Sequence, residues 1–273
     1  MSDPPPPRLF GVTASAAPIV AVLRRGPSDW CQVSRWDWAA PSLMHGSWFR
    51  GTIPPQKCDL SPDGRWLLYS AVKHPGNWDG GAVYEAISRL PWLTALAAWN
   101  AGTTYTRGAH FTDEIGRNDL GEPDVGDVGP LLRRYGLAST KLDQFAVERR
   151  RGWTESPETP ARRSEDVWDR GREVEMVKRR PGGGPLLCCL GSYAAYRESP
   201  DWNQGLLYYL DLGGHHRELD VQWADWSHDG RLLLATHDGR LQIRTVDGTI
   251  QFDLDLTDAV PDPKPPPDVA GRW

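Results

Sequence analysis

Four side chains capable of acid–base and ion-pairing chemistry lie close together near the middle of the chain. Arg107, His110, Asp113 and Glu114 directly follow a stretch typical of a β-strand, so they could converge on a ligand at one end of a sheet. A carboxylate beside an imidazole can tune its pKa for general acid–base work. Nothing in the sequence places a second group opposite this cluster, so it predicts a ligand or partner site more strongly than a catalytic one.

Two of the 14 tryptophans are further candidates for partner or ligand binding. Trp78 lies in a stretch rich in Gly, Pro and Asn that is typical of an exposed loop, and Trp92 follows Pro91 where a strand or turn begins. An aromatic side chain on a loop can anchor a peptide or a sugar. The alternative is that each indole folds over the base of its own loop.

The motifs of the common enzyme and metal sites are missing from the sequence. There is no Gly-x-Ser-x-Gly elbow, no phosphate-binding loop and no His-Glu-x-x-His pair. The neighbouring Cys188 and Cys189 would face opposite sides of a strand, which is poor geometry for a shared metal ion. The sequence therefore predicts no metal, no cofactor and no catalytic residue, and the four cysteines are expected to be buried, reduced thiols.

Composition favours an all-β protein. Gly 28, Pro 24 and Trp 14 suit a turn-rich β fold, because Gly and Pro disfavour helix interiors and large aromatics suit pleated surfaces. A net charge of -5 argues against a nucleic-acid partner. No stretch approaches the ~18–20 apolar residues that span a bilayer, and the opening residues lack a basic signal-peptide region. We expect a cytoplasmic protein without a membrane partner.

One hairpin pattern occurs twice. Residues 58–70 and 224–236 share Asp, Ser, Asp, Gly, Arg and two leucines in register. The pattern predicts a strand that ends at the first Asp, a tight turn, and an apolar strand that returns. The turn residues are Asp63 with Gly64 and Asp229 with Gly230, where each Asp can bond its own backbone and each Gly can adopt a positive φ.

The spacing of the two copies predicts more of them. Gly64 and Gly230 are 166 positions apart, which is four steps of about 41 residues. Weaker echoes fall at residues 97–105 and 181–190, and residues 141–148 could supply a further strand. The second copy continues through two Asp-Gly turns, so residues 217–256 predict a four-stranded antiparallel meander.

The two hairpins, with their Ser-x-Asp-Gly turns, resemble those of WD40-like β-propellers, and residues 84–96 resemble a segment of uncharacterised bacterial proteins of this type. The resemblance implies a propeller of about five four-stranded antiparallel blades with degenerate repeats, or six if the N-terminus contributes one. The propeller would occupy residues 18–258, with inserted loops near 114–130 and 149–180. Pro-rich tails would precede it over 1–17 and follow it over 259–273.

The resemblance also implies a function. WD40-like propellers commonly act as non-catalytic scaffolds that bind other proteins through the loops at the ends of the central channel, so another protein is the expected partner. Two alternatives stay open: a propeller hydrolase or lyase with a site in the channel, and a sugar-binding propeller that uses its loop tryptophans. The charged segment 149–180 is either a docking patch or a solvated loop.

Overall fold

A computed structural model describes residues 5–73, 83–102, 108–140, 145–156, 173–192 and 205–273. These residues form antiparallel β-sheets with a few short helical turns, which confirms the all-β prediction. The chain divides into two compact units, residues 12–147 with 259–273 and residues 5–11 with 148–258. In the described part of the chain, no helix has the length and apolar character needed to cross a membrane.

The first unit is built from eleven named strands, of which β1 begins in the second unit. They are β1 (Arg8–Thr13), β2 (Ile19–Arg25), β3 (Trp30–Asp37), β4 (Ser42–Thr52), β5 (Cys58–Leu60), β6 (Trp66–Lys73), β7 (Val83–Arg89), β8 (Ala95–Asn100), β9 (Ala109–Thr112), β10 (Val125–Gly126) and β11 (Gly136–Ser139). A 3-10 turn at Pro55–Lys57, helix α1 (Gly129–Leu132) and a 3-10 turn at Asp268–Gly271 complete this unit.

The large sheet of this unit consists of two successive meanders. Its strand order is β1-β2-β3-β4-β6-β7-β8-β10, with β5 paired to β6. Strands β4 and β6 are joined only where Gly51 and Thr52 pair with Lys73 and Val72. The two meanders, β1–β4 and β5–β8, are therefore joined by a short stretch of strand pairing at one end. Strands β9 and β11 form a two-stranded antiparallel sheet of their own.

Alternating side chains of β6–β9 and β11 build a buried core in this unit. Successive residues of a strand point to opposite faces, and one face of each of these strands is covered. The buried cluster that results includes Trp66, Ile87, Trp99 and Phe111, together with Leu131 of α1. This core supports the long connection between β9 and β11 from below.

The second unit contains two sheets. Its elements are α2 (Ala146–Arg150, whose first two residues group with the first unit), β12 (Trp153–Glu155), β13 (Glu173–Arg179), β14 (Leu186–Ser192), β15 (Leu207–Asp211), β16 (His216–Leu219), β17 (Val221–Trp226), β18 (Leu232–Thr236), β19 (Arg240–Arg244) and β20 (Ile250–Asp255). Strands β12–β16 pair in chain order as one sheet, and β17–β20 pair in chain order as a four-stranded meander.

The beginning of β1 is held by the last meander within the second unit. The Leu9 N–H donates to Gln222 Oε1 at 2.8 Å, and Gln222 Nε2 donates to the Pro7 carbonyl at 3.1 Å. Gly11 has no room for a side chain, because an added Cβ would lie 2.4 Å from the Trp223 ring. Residues 5–11 are therefore a specific part of this unit, although Pro5, Pro6 and Pro7 carry no regular structure.

Several local features differ from the sequence predictions. The described part of 141–148 contains the start of α2 in place of a strand, because Ala, Glu and Arg are good helix formers. Of the hairpin predicted at 97–105, residues 97–100 lie within β8, which pairs with β7 and β10, and residues 103–105 lie outside the described part of the chain. Residues 217–223 are split between β16 and β17.

The predicted tails and loops also contain ordered elements. Strand β1 lies within 1–17, β10 lies within 114–130, and β12 and β13 lie within 149–180. In the C-terminal segment, the Trp273 ring packs on Trp66 with 5.3 Å between ring centroids. Each of these segments carries apolar residues whose burial depends on a distant strand, which local composition does not reveal.

Candidate functional site

The site is built on the long connection between β9 and β11, residues 113–135, which we name the insertion loop. His110 lies on β9, half-buried, opposite Ala138 of β11. The residues before and after it, Ala109 and Phe111, face the core. Strand alternation thus places the imidazole on the outer side of this small sheet.

Three charged side chains form a network beside His110. Arg117 donates from Nη2 and Nε to the two oxygens of Asp119, at 2.8 and 3.0 Å, and from Nη1 to Glu114 at 2.8 Å. Asp119 also accepts the Ser139 N–H at 3.2 Å, next to the residue that pairs with His110. The bidentate geometry fixes the planes of both side chains.

The electrostatics of this network favour binding over proton transfer. The Arg117 guanidinium holds the pKa of Asp119 below its ordinary value, with smaller contributions from the Ser139 N–H and the charge of His110. The same contacts raise the pKa of Arg117. A carboxylate held ionised in this way is a weak acid–base catalyst near neutral pH, but it presents a fixed charge pattern to a partner.

The structure replaces one residue of the predicted cluster. Asp113 is exposed just after β9, and its carboxylate makes no hydrogen bond or ion pair with the residues the structure describes. The acidic neighbour of His110 is Asp119. Arg107 lies outside the described residues. Asp119 was missed because nothing local shows that the loop folds back beside β11, where Asp119 N–H donates to the Leu137 carbonyl at 2.9 Å.

Of the two candidate tryptophans, Trp92 is described and Trp78 is not. Trp92 is half-buried in the turn between β7 and β8, where its backbone N–H donates to the Arg89 carbonyl at 2.7 Å. The following Leu93 N–H donates to the Ser47 hydroxyl of β4 at 3.0 Å. This turn is therefore pinned against a neighbouring strand.

The two signature hairpins have closely matching turn geometry. Gly64 and Gly230 have φ values of 70° and 80°, and each donates its N–H to the carbonyl of the hairpin serine, Ser61 or Ser227. The serine hydroxyl in turn donates to Asp63 at 2.7 Å in the first hairpin and to Asp229 at 2.5 Å in the second. These residues shape the turns and bring no reactive group together.

The aspartates that precede the turns are both buried and both engaged. Asp59 accepts the Phe111 N–H at 2.8 Å, and Asp225 pairs with Lys178, whose Nζ lies 2.6 Å from Oδ1. Their carboxylates are therefore used in packing between sheets. Among the described residues, no group of three His, Cys, Asp or Glu side chains is arranged to hold a metal ion, and the four cysteine thiols are buried.

Comparison with known proteins adds little. No family model matches the chain, and no curated protein matches it significantly. Among solved structures, an uncharacterized protein from Listeria monocytogenes EGD-e, determined at 1.18 Å resolution, is similar over 93% of this chain and 67% of its own, with 12% identity and a TM-score of 0.29. A similarity of this size transfers neither fold nor function.

Proposed function

We propose that this chain is a WD40-like propeller that acts as a non-catalytic scaffold and binds another protein through the insertion loop. The observation that carries the proposal is that this loop is anchored on its inner side while its outer side presents an apolar side chain beside a fixed charge network. Buried thiols at all four cysteines suit the reducing cytoplasm as its compartment.

The sheet organisation supports the propeller part of the proposal. The meanders β1–β4, β5–β8 and β17–β20 and the strands β13–β16 are each sets of four consecutive strands, as the blades of a propeller are, and the two-stranded pair of β9 and β11 would be an incomplete fifth blade. In two of them the signature hairpin bonds the turn of the preceding sheet: Ala16 N–H donates to the Pro62 carbonyl at 3.0 Å, and Arg180 Nε donates to the Gly230 carbonyl at 2.7 Å.

The insertion loop is held in place by bonds to the strands beneath it. Trp99 Nε1 donates to the Gly121 carbonyl at 3.0 Å, and Asp124 accepts the Asn100 N–H at 2.6 Å. Strand β10, inside the loop, pairs with β8. A loop that is already ordered loses less conformational entropy when a partner binds, so its contacts translate more fully into affinity.

The outer side of the loop has the composition of a small interface. Ile115 is 69% exposed, and it lies between Glu114 and Arg117, which pair with each other at 2.8 Å. An apolar centre with a rim of positioned polar groups is the usual arrangement of a protein–protein contact. Arginine is among the residues that most often dominate the energy of such contacts.

The test compares two isoleucines that are both exposed. Partners are captured on the wild-type protein, identified, purified and titrated by calorimetry against the variants Ile115→Asp and Ile250→Asp. Ile250 is 50% exposed on β20 of the other unit and serves as the matched control. We expect Ile115→Asp to weaken binding at least about tenfold, since truncating a central contact costs more than ~1 kcal/mol.

Two results would overturn the proposal. If Ile115→Asp binds as tightly as the control variant, the insertion loop is not the interface. If calorimetry instead detects turnover of a small molecule, or binding of an oligosaccharide that Ile115→Asp does not affect, the protein is not a scaffold of this type.

A further inference from the structure

A buried arginine on the first meander has no acidic partner in the part of the chain that the structure describes. Arg24 of β2 is 4% exposed, and it stands in one row across the sheet with Gln32 of β3 and Trp48 of β4. Its guanidinium lies over the Trp48 ring, 5.3 Å from the centroid. Burial lowers its pKa.

The hydrogen bonds of Arg24 leave one edge of the guanidinium unused. Nη1 donates to the Gly26 carbonyl, and Nε is buried with no hydrogen-bond partner. No carboxylate among the described residues forms an ion pair with Arg24. A buried charge without a counter-charge is costly, and arginine is normally buried only when paired. The edge formed by Nε and Nη2 is the one that matches the two oxygens of a carboxylate.

The neighbouring side chains extend this edge into a polar and aromatic patch. Gln32 is buried, and its side-chain amide makes no hydrogen bond with the residues the structure describes. Ser34 and His45 form the next row of the same sheet. Trp30 and Trp48 are half-buried and meet edge to face, with centroids 6.5 Å apart.

The local charge also suits an anion. Residues 8–52 contain five arginines and two aspartates, for a net charge of +3, whereas the whole chain carries -5. Both aspartates lie near exposed or half-exposed arginines: Asp29 pairs with Arg50 at 3.0 Å, and Asp37 lies 3.9 Å from Arg35.

We propose that this patch binds a small organic anion that combines a carboxylate with a flat apolar body. The Arg24 Nε and Nη2 groups donate to the two carboxylate oxygens, the Gln32 amide lies beside them, and the indoles of Trp30 and Trp48 contact the apolar body. Nε is covered in this structure, so the ligand reaches it when a neighbouring side chain moves aside. A phosphate would leave further charged oxygens facing the indoles, so a carboxylate fits the two-donor edge better.

The test uses benzoate as the probe and benzamide as its neutral counterpart, each titrated into the full chain by calorimetry. A ligand of this size with one bidentate contact is expected to bind with a Kd of about 1 mM. Benzamide is expected to bind at least about tenfold more weakly, because it lacks the charge that Arg24 requires. Equal binding of the two compounds, or no heat with benzoate far above millimolar concentration, would overturn the proposal.

Three variants assign the binding to Arg24. Arg24→Met and Arg24→Lys are both expected to weaken benzoate binding at least about tenfold. Lysine keeps the charge, but its ammonium lacks the two parallel N–H donors of a guanidinium. Arg25→Met makes the same change in net charge at the adjacent position and is expected to leave binding unchanged. Undiminished binding to Arg24→Met would refute the site, and tighter binding of phenyl phosphate than of benzoate would refute the choice of carboxylate.

Two further readouts separate a ligand site from a structural role of Arg24. The melting temperature of Arg24→Met is expected to equal or exceed that of the wild type, because an unpaired buried charge is removed and the stem volume is kept. A marked fall in melting temperature, together with no benzoate binding by the wild type, would show that Arg24 only packs. In the free protein, burial and, to a smaller extent, the charge of Arg24 lower the pKa of His45. Bound benzoate is expected to raise this pKa in the wild type. An unchanged His45 titration in the presence of benzoate would refute the site.

Discussion

The ion pair between Lys178 of β13 and Asp225 of β17 offers a sharp test of how the second unit is held together. The Nζ–Oδ1 distance is 2.6 Å, and the side chains are 13% and 3% exposed. The same carboxylate oxygen accepts the Trp226 N–H at 2.8 Å, and the ammonium lies 5.9 Å from the centroid of the Trp153 ring. Both charges are therefore shielded from water and depend on each other.

The expected magnitude follows from this burial. Asp225→Leu leaves the Lys178 ammonium buried without its counter-charge, which typically costs about 3–5 kcal/mol of the free energy of unfolding. Lys178→Met leaves the carboxylate in the same position, and a loss of similar size is expected. The double variant removes both charges and keeps similar volumes, so we expect it to be at least ~2 kcal/mol more stable than the sum of the single losses predicts.

Urea unfolding followed by tryptophan fluorescence measures these free energies, and hydrogen exchange of the β13 and β17 amides localises them to the second unit. Asp262→Leu is the matched control. Asp262 and Lys264 are also 2.6 Å apart, but they are 58% and 76% exposed. An exposed pair contributes less than about 1 kcal/mol. If Asp225→Leu costs no more than Asp262→Leu, or if the two single losses add fully in the double variant, the reasoning from burial is refuted.

Three further predictions concern the first unit. Gly64→Ala is expected to lower the free energy of unfolding in urea by about 2–4 kcal/mol, and Gly121→Ala by about 1–2 kcal/mol. Both glycines have a positive φ, but an added Cβ at position 64 would also lie 2.7 Å from an isoleucine of β2, whereas position 121 has open space. Equal losses for the two variants would contradict this reasoning. Arg117→Gln is expected to raise the pKa of Asp119, as measured by a carboxyl NMR titration. In the wild type, the ionised Asp119 carboxylate stabilises the fold above the ordinary Asp pKa, and this stabilisation is lost as the pH falls through the lowered pKa. An unchanged Asp119 pKa in the variant would rule the pairing out. Burial raises the pKa of Cys31 to about 11, so iodoacetamide at pH 8 should label it far more slowly in the native than in the urea-unfolded protein, and similar rates would be inconsistent with the structure.

The turns and the returning strands could be predicted from the sequence because they are decided locally. In the Ser-x-Asp-Gly hairpins, the serine and aspartate side chains reach backbone groups only a few positions away, and the glycine supplies the positive φ. Strands β18, β19 and β20 follow from alternating apolar residues between Asp-Gly turns for the same reason. Such contacts span a few residues, so a single segment contains all the information they need.

The partners of the charged side chains could not be predicted in this way. His110 has Asp119 as its acidic neighbour because the insertion loop folds back along β11, and Asp113, although nearer in sequence, stays exposed. Similarly, the helix at Ala146–Arg150 occupies a stretch in which a strand had been predicted. These outcomes depend on which surface covers each segment.

The sequence by itself therefore determined the β class, the hairpin turns and the presence of a polar cluster near His110. Tertiary structure alone decided that Arg24 is buried without a carboxylate partner among the described residues, that Asp225 meets Lys178 across 47 positions of the chain, and that Ile115 faces solvent beside the Arg117–Glu114 ion pair. The physical reason is that the alternation of a strand sorts side chains onto two faces but does not specify what packs on either face. Burial, pairing and exposure of charged groups are properties of contacts between segments far apart in sequence.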